Sequence, residues 1–238
     1  MPAPRKFEIN CAGCNLREAC LPEGLTSVEM LRMENLVYAR RKVKRGEALF
    51  RTGDRFSSLY ALRVGFFKTA VLHGNGREQV TGFQMAGELL GLDGVGTGEH
   101  SSHAVALEDC EVCVLPFALI EEIGREIPAL QRHLQGSLSR EIVRDHGVMM
   151  LLGSMRAEER LAAFLLNLSK RFARRGWSAS DFHLRMTREE IGSYLGLKLE
   201  TVSRLFSKFQ AEGLMEVNQK HVCIADIEGM QRLLGSKT

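Results

Sequence analysis

The sequence has no long apolar segment and no strong excess of charge of one sign. It contains no run of about 18 apolar residues, so we expect no transmembrane helix and no membrane partner. Met1 to Asn10 lack the apolar core and small-residue cleavage site of a secretory signal, so we expect a cytoplasmic protein. The formal net charge of +3 is too small to predict nucleic-acid binding unless that charge is localised. With 238 residues, the chain can bury a core in one or two domains.

The sequence also lacks a grouping of side chains typical of a catalyst. Its seven histidines are scattered along the chain, and no paired catalytic constellation occurs. We therefore predict that the protein is not an enzyme.

Cysteine, in contrast, is concentrated near the start of the chain. Cys11, Cys14 and Cys20 occur in the run Cys-Ala-Gly-Cys-Asn-Leu-Arg-Glu-Ala-Cys. Cytosolic thiols stay reduced, so such a run favours metal binding over disulfide formation. Soft thiolates are the ligands that both zinc and iron–sulfur clusters prefer. The residues alone therefore predict a sensor-type centre and leave zinc, an iron–sulfur cluster and redox chemistry open.

The texture of the sequence changes along the chain and predicts four segments. Residues 1–35 form a cysteine-rich segment with little hydrophobic periodicity, expected to hold the metal centre. Residues 36–115 alternate short apolar runs with glycine-containing turns, which predicts a β-barrel or sandwich. Residues 116–155 become helical, and residues 156–238 are mostly helical. The dense glycines at 87–98 are compatible with tight turns or with a ligand-binding loop.

A long helix is predicted from Pro128 to Leu151. Asp145 lies on its apolar stripe, three positions after Ile142. A core helix of a globular domain would explain the stripe, but a long seam that carries a charge favours a reversible dimer interface. We therefore predict a homodimer, with Ile142 and Asp145 as the dimer switch. The apolar residues that fall near a heptad seam are Leu130, Leu134, Leu138, Ile142, Val148, Met149 and Leu152.

The strongest signal apart from the cysteines is a helix-turn-helix pattern near the C-terminus. Thr187 and Glu190 form a capping-box pattern at the start of a helix. Gly196 suits the turn to a second helix, which we expect from about Leu199 to Ala211. A hairpin predicted over residues 214–224 would then be the wing of a winged helix-turn-helix.

The outward face of the second helix has the chemistry of base recognition. Arginine reads guanine O6 and N7, a carboxylate accepts from the cytosine amino group, and serine reaches either kind of edge. An ordinary exposed face with a Glu200–Arg204 pair is the alternative. The cap, the turn and this face together favour binding to double-stranded DNA, with Lys220 as a candidate phosphate contact. The expected DNA-binding residues are Thr187, Arg188, Lys198, Glu200, Thr201, Ser203 and Arg204.

The chain resembles the fumarate and nitrate reduction regulators, the oxygen-sensing branch of the cyclic-AMP receptor protein superfamily. The motifs that carry the resemblance are Cys11-x2-Cys14-x5-Cys20, Ala106 to Cys113, Arg156 to Phe164, and Thr187 to Phe209 with Glu200-Thr-Val-Ser-Arg204. It extends over nearly the whole chain. The resemblance implies an α+β fold with an N-terminal cyclic-nucleotide-binding-like β-roll, a long dimerisation helix and a C-terminal winged helix-turn-helix.

The resemblance also implies a [4Fe–4S] cluster held by Cys11, Cys14, Cys20 and one cysteine of the β-roll. Cys110 and Cys113 both lie in that region, and the residues alone leave the choice open. The resemblance favours Cys113, because the family cysteine stands just before an apolar-Pro-Phe segment. In this family, oxygen converts [4Fe–4S] to [2Fe–2S] and loosens the dimer.

The function implied by the resemblance is oxygen-responsive regulation of anaerobic genes through a TTGAT-N4-ATCAA-type palindrome. RNA polymerase is the implied partner, contacted around residues 73–77. The superfamily branch that binds cyclic AMP holds the cyclic phosphate with an arginine and a serine. Ser101 to Ala104 occupies that place without an arginine, so we expect no cyclic nucleotide. Two alternatives are a zinc-stabilised DNA-binding protein and a regulator gated by a small molecule in the β-roll.

Overall fold

The computed structural model describes residues 11–14, 16–72, 74 and 76–235. The chain divides into two compact units between Val143 and Arg144. Met1 to Asn10, where we expect no secretory signal, lie outside the described residues. In the described ranges, no helix combines the length and the hydropathy that crossing a bilayer requires. The division into four segments remains a prediction.

Short antiparallel strands separated by glycine turns form a β-roll in the N-terminal unit. One sheet has the order β1-β8-β3-β6, and the other has the order β2-β7-β4-β5. The strands are β1 (Ala39–Val43), β2 (Ala48–Phe50), β3 (Ser58–Val64), β4 (Phe66–Leu72), β5 (Glu78–Met85), β6 (Leu89–Leu90), β7 (His103–Ala106) and β8 (Cys110–Pro116). Alternate side chains of these strands, among them Leu62, Phe67 and Val112, are fully buried in a shared core. The predicted β architecture is therefore confirmed.

Helices cover the opposite face of the β3–β8 sheet. They are α1 (Arg17–Cys20), α2 (Ser27–Leu36) and α3 (Phe117–Glu126). Met33 of α2, Leu59 of β3 and Ile120 of α3 belong to a second buried cluster. The sequence analysis missed α2, although Thr26 and Glu29 form a capping box at its start.

The predicted long helix is present as α4 (Pro128–Ser154) and has 27 residues. At 1.5 Å per residue, its length is about 40 Å. Proline suits its first position, because the amide hydrogen that proline lacks has no partner within a first helical turn.

The C-terminal unit is a winged helix-turn-helix. Its elements are α5 (Ala157–Ala173), β9 (Asp181–His183), α6 (Arg188–Leu195), α7 (Leu199–Ala211), β10 (Met215–Asn218), β11 (His221–Ile224) and α8 (Ile227–Leu233). The second helix and the wing occur where the sequence predicts them. The strand β9, which pairs with β11, was not predicted. The α+β fold class is confirmed.

Candidate functional site

One cavity in the N-terminal unit is lined by all four predicted ligand residues: Cys11, Cys14, Cys20 and Cys113. Apolar side chains from α2, β3, α3 and α4 form most of its wall. All six cysteines lie in the described part of the chain and are reduced thiols. Four sulfur donors in an apolar enclosure form the donor set that iron–sulfur clusters use. The residues therefore fit such a group.

The N-terminal cysteine segment is held in place by a carboxylate that the sequence analysis missed. The Cys11 amide donates a hydrogen bond to Glu34 Oε1 over 2.9 Å, and the Ala12 amide donates to the same atom over 3.2 Å. The buried Leu16 side chain fixes the segment just before α1. Glu34 thus ties the cysteine turn to α2. No sequence signal links a carboxylate 23 residues away to that turn.

The two cysteines of β8 face opposite sides of their sheet. Cys110 and Cys113 are an odd number of positions apart, so their side chains alternate across the strand. Cys110 is 4% exposed in the β-roll core, where its Sγ donates to the carbonyl oxygens of Phe66 and Glu108. Cys113 lines the cavity instead. This geometry favours Cys113 as the fourth ligand, and strand alternation is the signal that could have separated the two.

Burial favours the protonated form of the Cys11 and Cys113 thiols. It raises the pKa of Cys11 to about 11, and the negative groups nearby, including Cys113 and Glu34, add to this rise. Burial also raises the pKa of Cys113, against which the positive charge of Arg40 acts. Binding of a metal centre to these sulfurs must therefore release protons.

The thiols surround the cavity without converging on one point. Within the part of the chain that the structure describes, no three His, Cys, Asp or Glu side chains are placed to hold a single metal ion. A structural zinc ion needs four ligands at about 2.0–2.3 Å from one atom. A cluster of several irons takes each thiolate on a separate iron, so its ligands stand farther apart.

The helix α4 presents apolar side chains to solvent. Ile142 is 55% exposed and Val143 is 66% exposed, and in the last turns Met149 and Met150 are 61% and 63% exposed. Asp145 is exposed as well. Apolar side chains at this density on a helix surface are typical of an interface rather than of a solvated face.

The first helix of the helix-turn-helix starts and ends as the sequence predicts. Glu190 N donates to Thr187 Oγ1 over 3.1 Å, and Thr187 N donates to Glu190 Oε2 over 2.8 Å. Gly196 ends the helix at a φ of +63°, a left-handed conformation that favours glycine. Gly192 was missed: a Cβ there would lie 2.6 Å from the Leu197 carbonyl oxygen, so the turn requires glycine at a second position.

The recognition helix α7 has one buried and one exposed face. Val202, Leu205, Phe206 and Phe209 are buried against the rest of the unit. Lys198 precedes the helix without a side-chain capping bond and is exposed. The predicted base-reading residues Glu200, Ser203 and Arg204 are exposed, and Thr201 is half-buried.

Arg188 is half-buried, unlike the exposed Glu200, Ser203 and Arg204. Its guanidinium lies 3.2 Å from the centroid of the Phe206 ring, and Nη2 donates to the Gln219 carbonyl oxygen over 3.3 Å. Burial lowers its pKa to about 10. The wing residue Lys220 is also engaged, because its Nζ donates to the Arg185 carbonyl oxygen over 3.0 Å. Contact of either residue with DNA remains a prediction.

Arg160 is a structural residue of the DNA-binding unit that the sequence analysis missed. Its guanidinium donates to the carbonyl oxygens of Met155 and Leu195 over 2.9 and 3.0 Å, and to that of Leu152 over 2.9 Å. These carbonyls lie in the last turns of α4 and α6 and just after α4, where helical carbonyls lack partners. Arg160 therefore joins the end of α4 to the first helix of the helix-turn-helix.

Part of the region implied to contact RNA polymerase is not described by the structure: His73 and Asn75 lie outside the described residues.

In the region where a cyclic nucleotide phosphate would bind, the Asp93 carboxylate accepts hydrogen bonds from the Ser101 and Ser102 amides over 2.9 and 3.0 Å. An acid at this place would repel a phosphate, and the absence of cyclic nucleotide remains a prediction.

Comparisons with known proteins match both units. A family model described as a cyclic nucleotide-binding domain matches residues 40–126, and one described as a Crp-like helix-turn-helix domain matches residues 159–233. The chain is 45% identical over 229 residues to the transcriptional regulatory protein btr of Bordetella pertussis, covering 96% of this chain and 95% of that protein. It is 40% identical over 227 residues to the fumarate and nitrate reduction regulatory protein of Escherichia coli K12, covering 95% of this chain and 91% of that protein.

The solved structure of FixK2 from Bradyrhizobium japonicum is similar with a TM-score of 0.78 and 26% identity, over 84% of this chain and 98% of that chain. A β-roll joined to a Crp-like helix-turn-helix defines a DNA-binding transcriptional regulator, not an enzyme. The chain belongs to the CRP/FNR family of transcriptional regulators, in the branch of the fumarate and nitrate reduction regulatory proteins.

Proposed function

We propose that the protein is an oxygen-responsive transcriptional regulator of anaerobic genes. In this proposal, Cys11, Cys14, Cys20 and Cys113 hold a [4Fe–4S] cluster. The loaded protein forms a homodimer, binds a TTGAT-N4-ATCAA-type palindrome and contacts RNA polymerase. In air the metal centre is broken and the protein releases DNA.

The convergence of these four cysteines on one cavity carries the proposal. When bound, the cluster supplies an oxygen-labile cross-link among the chain segments that provide its ligands. Glu34 holds the turn that bears Cys11, and the apolar wall limits the access of water to the partly buried sulfurs.

The cavity is also next to the helix proposed to dimerise. Leu130 and Leu134, in the first turns of α4, belong to the cavity wall. Ordering the cavity around a ligand therefore orders the start of α4. The same helix carries the exposed Ile142, which supports a second copy of the chain as its partner.

Asp145 makes that dimer conditional. In a symmetric homodimer, two copies of its carboxylate approach the same helix seam, where they repel each other and resist desolvation. The packing gained when the cavity is loaded must outweigh this cost. A switch of this kind is a balance between two states of similar free energy.

The recognition helix supports the DNA-binding part of the proposal. A dimer places two copies of α7 on half-sites one helical turn apart, so it makes twice the contacts of a monomer. Arg204 and Glu200 are exposed on the first turns of α7, from which such helices read base edges.

The test is an anaerobic absorption spectrum of the reconstituted protein with iron and sulfide analysis, repeated after exposure to air. We expect a coloured protein with equal iron and sulfide, whose colour and palindrome binding both fall in air. A colourless protein that contains zinc and binds DNA equally with and without oxygen would contradict the proposal. So would DNA binding that depends on a small molecule and survives replacement of the three N-terminal cysteines by serine.

A further inference from the structure

Three charged residues share the sheet face on which Cys113 lies. Arg40 of β1 stands directly opposite Cys113 in the strand register. Glu111 is two positions before Cys113 on β8, so both side chains point to the same face. Ala61 of β3 is also opposite Cys113; the register shifts between Leu62 and Val64, and Arg63 at this irregularity is paired with Glu111. We call this cluster of Arg40, Arg63 and Glu111 the charged triad.

The triad is only partly neutralised. Arg63 Nη1 lies 2.8 Å from Glu111 Oε1, and Arg40 Nε lies 3.9 Å from the same oxygen. One carboxylate therefore faces two guanidinium groups, which leaves an excess of one positive charge. The Nε atoms of Arg40 and Arg63 are buried and have no hydrogen-bond partner among the residues that the structure describes.

Both arginines act on the cavity thiols. The positive charge of Arg40 opposes the rise in the pKa of Cys11 and Cys113, and the positive charge of Arg63 opposes the rise in the pKa of Cys113. The arginine side chains are 25% and 35% exposed, so solvent weakens this interaction only in part.

We propose that Arg40 and Arg63 are positioning residues that stabilise the anionic sulfur centre of the cavity, and that Glu111 limits their effect. The inference rests on the proposed function, because it needs thiolates bound to a metal centre. A cluster with four thiolate ligands carries net negative charge, and nearby cations and N–H donors are known means of stabilising such centres. Glu111 fixes the arginines but also competes for their charge.

The test measures how fast the anaerobic protein loses its visible absorbance in a fixed excess of EDTA. We expect about tenfold faster loss in Arg40→Gln and in Arg63→Gln. Arg63→Lys, which keeps the charge, should lie between Arg63→Gln and the parent chain. Glu111→Gln should lose absorbance more slowly than the parent, because glutamine still accepts a hydrogen bond and no longer neutralises the arginines.

Arg45→Gln is the matched control, since Arg45 is exposed in the turn after β1 and its loss removes the same charge from the same domain. Its rate should equal that of the parent. Circular dichroism of each metal-free variant reports whether the β-roll is folded. Faster loss in all three triad variants would indicate a merely structural role and overturn the inference.

The two proposals fail in different ways. A parent chain that retains no iron and sulfide would overturn the proposed function and this inference with it. A parent chain that retains both, with Arg40→Gln and Arg63→Gln at the parent rate, would overturn the inference alone.

Discussion

The cysteine cavity and the helix-turn-helix differ in how far apart along the chain their parts lie. The cavity is lined by residues from Cys11 to Leu134, whereas the helix-turn-helix is complete between Thr187 and Ala211. A site assembled from many segments can be loosened at any of them by loss of one ligand. The helix-turn-helix contains none of those segments. In the proposed function, the cavity is therefore the part that responds to oxygen, and the helix-turn-helix is the part that stays folded.

Loss of the fourth sulfur ligand should empty the cysteine cavity and leave the helix-turn-helix folded, which is the strongest change we predict. Cys113→Ser should lose all iron and sulfide after anaerobic reconstitution, because one of the four sulfur ligands is gone. Cys110→Ser should retain them, since Cys110 faces the β-roll core. Iron and sulfide analysis measures both, and circular dichroism reports the fold. Retention in Cys113→Ser and loss in Cys110→Ser would show that the ligand assignment is reversed.

Removal of the Asp145 carboxylate should make dimerisation and DNA binding independent of the state of the cysteine cavity. Asp145→Ala should dimerise and bind the palindrome in air, because juxtaposed like charges cost several kcal/mol at an interface. Glu122→Ala, which removes an exposed carboxylate from α3, is the control and should stay monomeric in air. Analytical ultracentrifugation in air measures the dimer fraction. A monomeric Asp145→Ala would exclude this role for the carboxylate.

Loss of Arg204 should change only the DNA affinity of the helix-turn-helix, and by a smaller amount. Arg204→Ala should weaken binding to the palindrome by about 1–3 kcal/mol, because arginine donates two hydrogen bonds to one guanine. Binding to random DNA should change less, and cluster content should not change. Anaerobic fluorescence anisotropy on both DNAs measures this. Equal losses on the two DNAs would mean that Arg204 contacts only phosphate.

The smallest effect compares one capping box in each region. Thr187→Ala and Thr26→Ala should each cost about 1 kcal/mol of local helix stability. Thr187→Ala should reduce DNA affinity and leave iron retention unchanged, since Thr187 caps α6. Thr26→Ala should speed iron loss, since it caps the helix that carries Glu34. Chelator challenge and anisotropy on both variants test the separation, and a matching pattern in the two variants would contradict it.

Short sequence patterns were sufficient to predict the helix-turn-helix. The capping box at Thr187, the turn at Gly196 and the recognition helix follow from spacing and backbone chemistry within a few residues of each other. The roles of Gly192 and Arg188 were not predicted, because tertiary packing fixes them. Gly192 leaves room for the Leu197 carbonyl, and Arg188 packs on Phe206. Neither follows from a short sequence pattern, because both depend on how two helices cross.

The cavity was predictable in its chemistry and not in its construction. Cysteine spacing and the resemblance together suggested four ligands, and the residues alone left Cys110 and Cys113 equivalent. Their positions on β8 separated them, because successive side chains of a strand point to opposite faces of its sheet. Glu34 and Arg63 had no sequence signal at all, since each reaches the cysteines through tertiary pairing.

Residue patterns alone therefore predicted a thiol-rich segment, a region of short β-strands, a long helix with an apolar stripe, and a winged helix-turn-helix. These depend on residue type and on short-range periodicity, which the chain carries wherever it folds. The tertiary structure places Cys113, and not Cys110, with Cys11, Cys14 and Cys20 at the cavity, and it brings charged side chains near them. Those choices depend on strand register and helix packing, which bring together residues that the sequence keeps far apart.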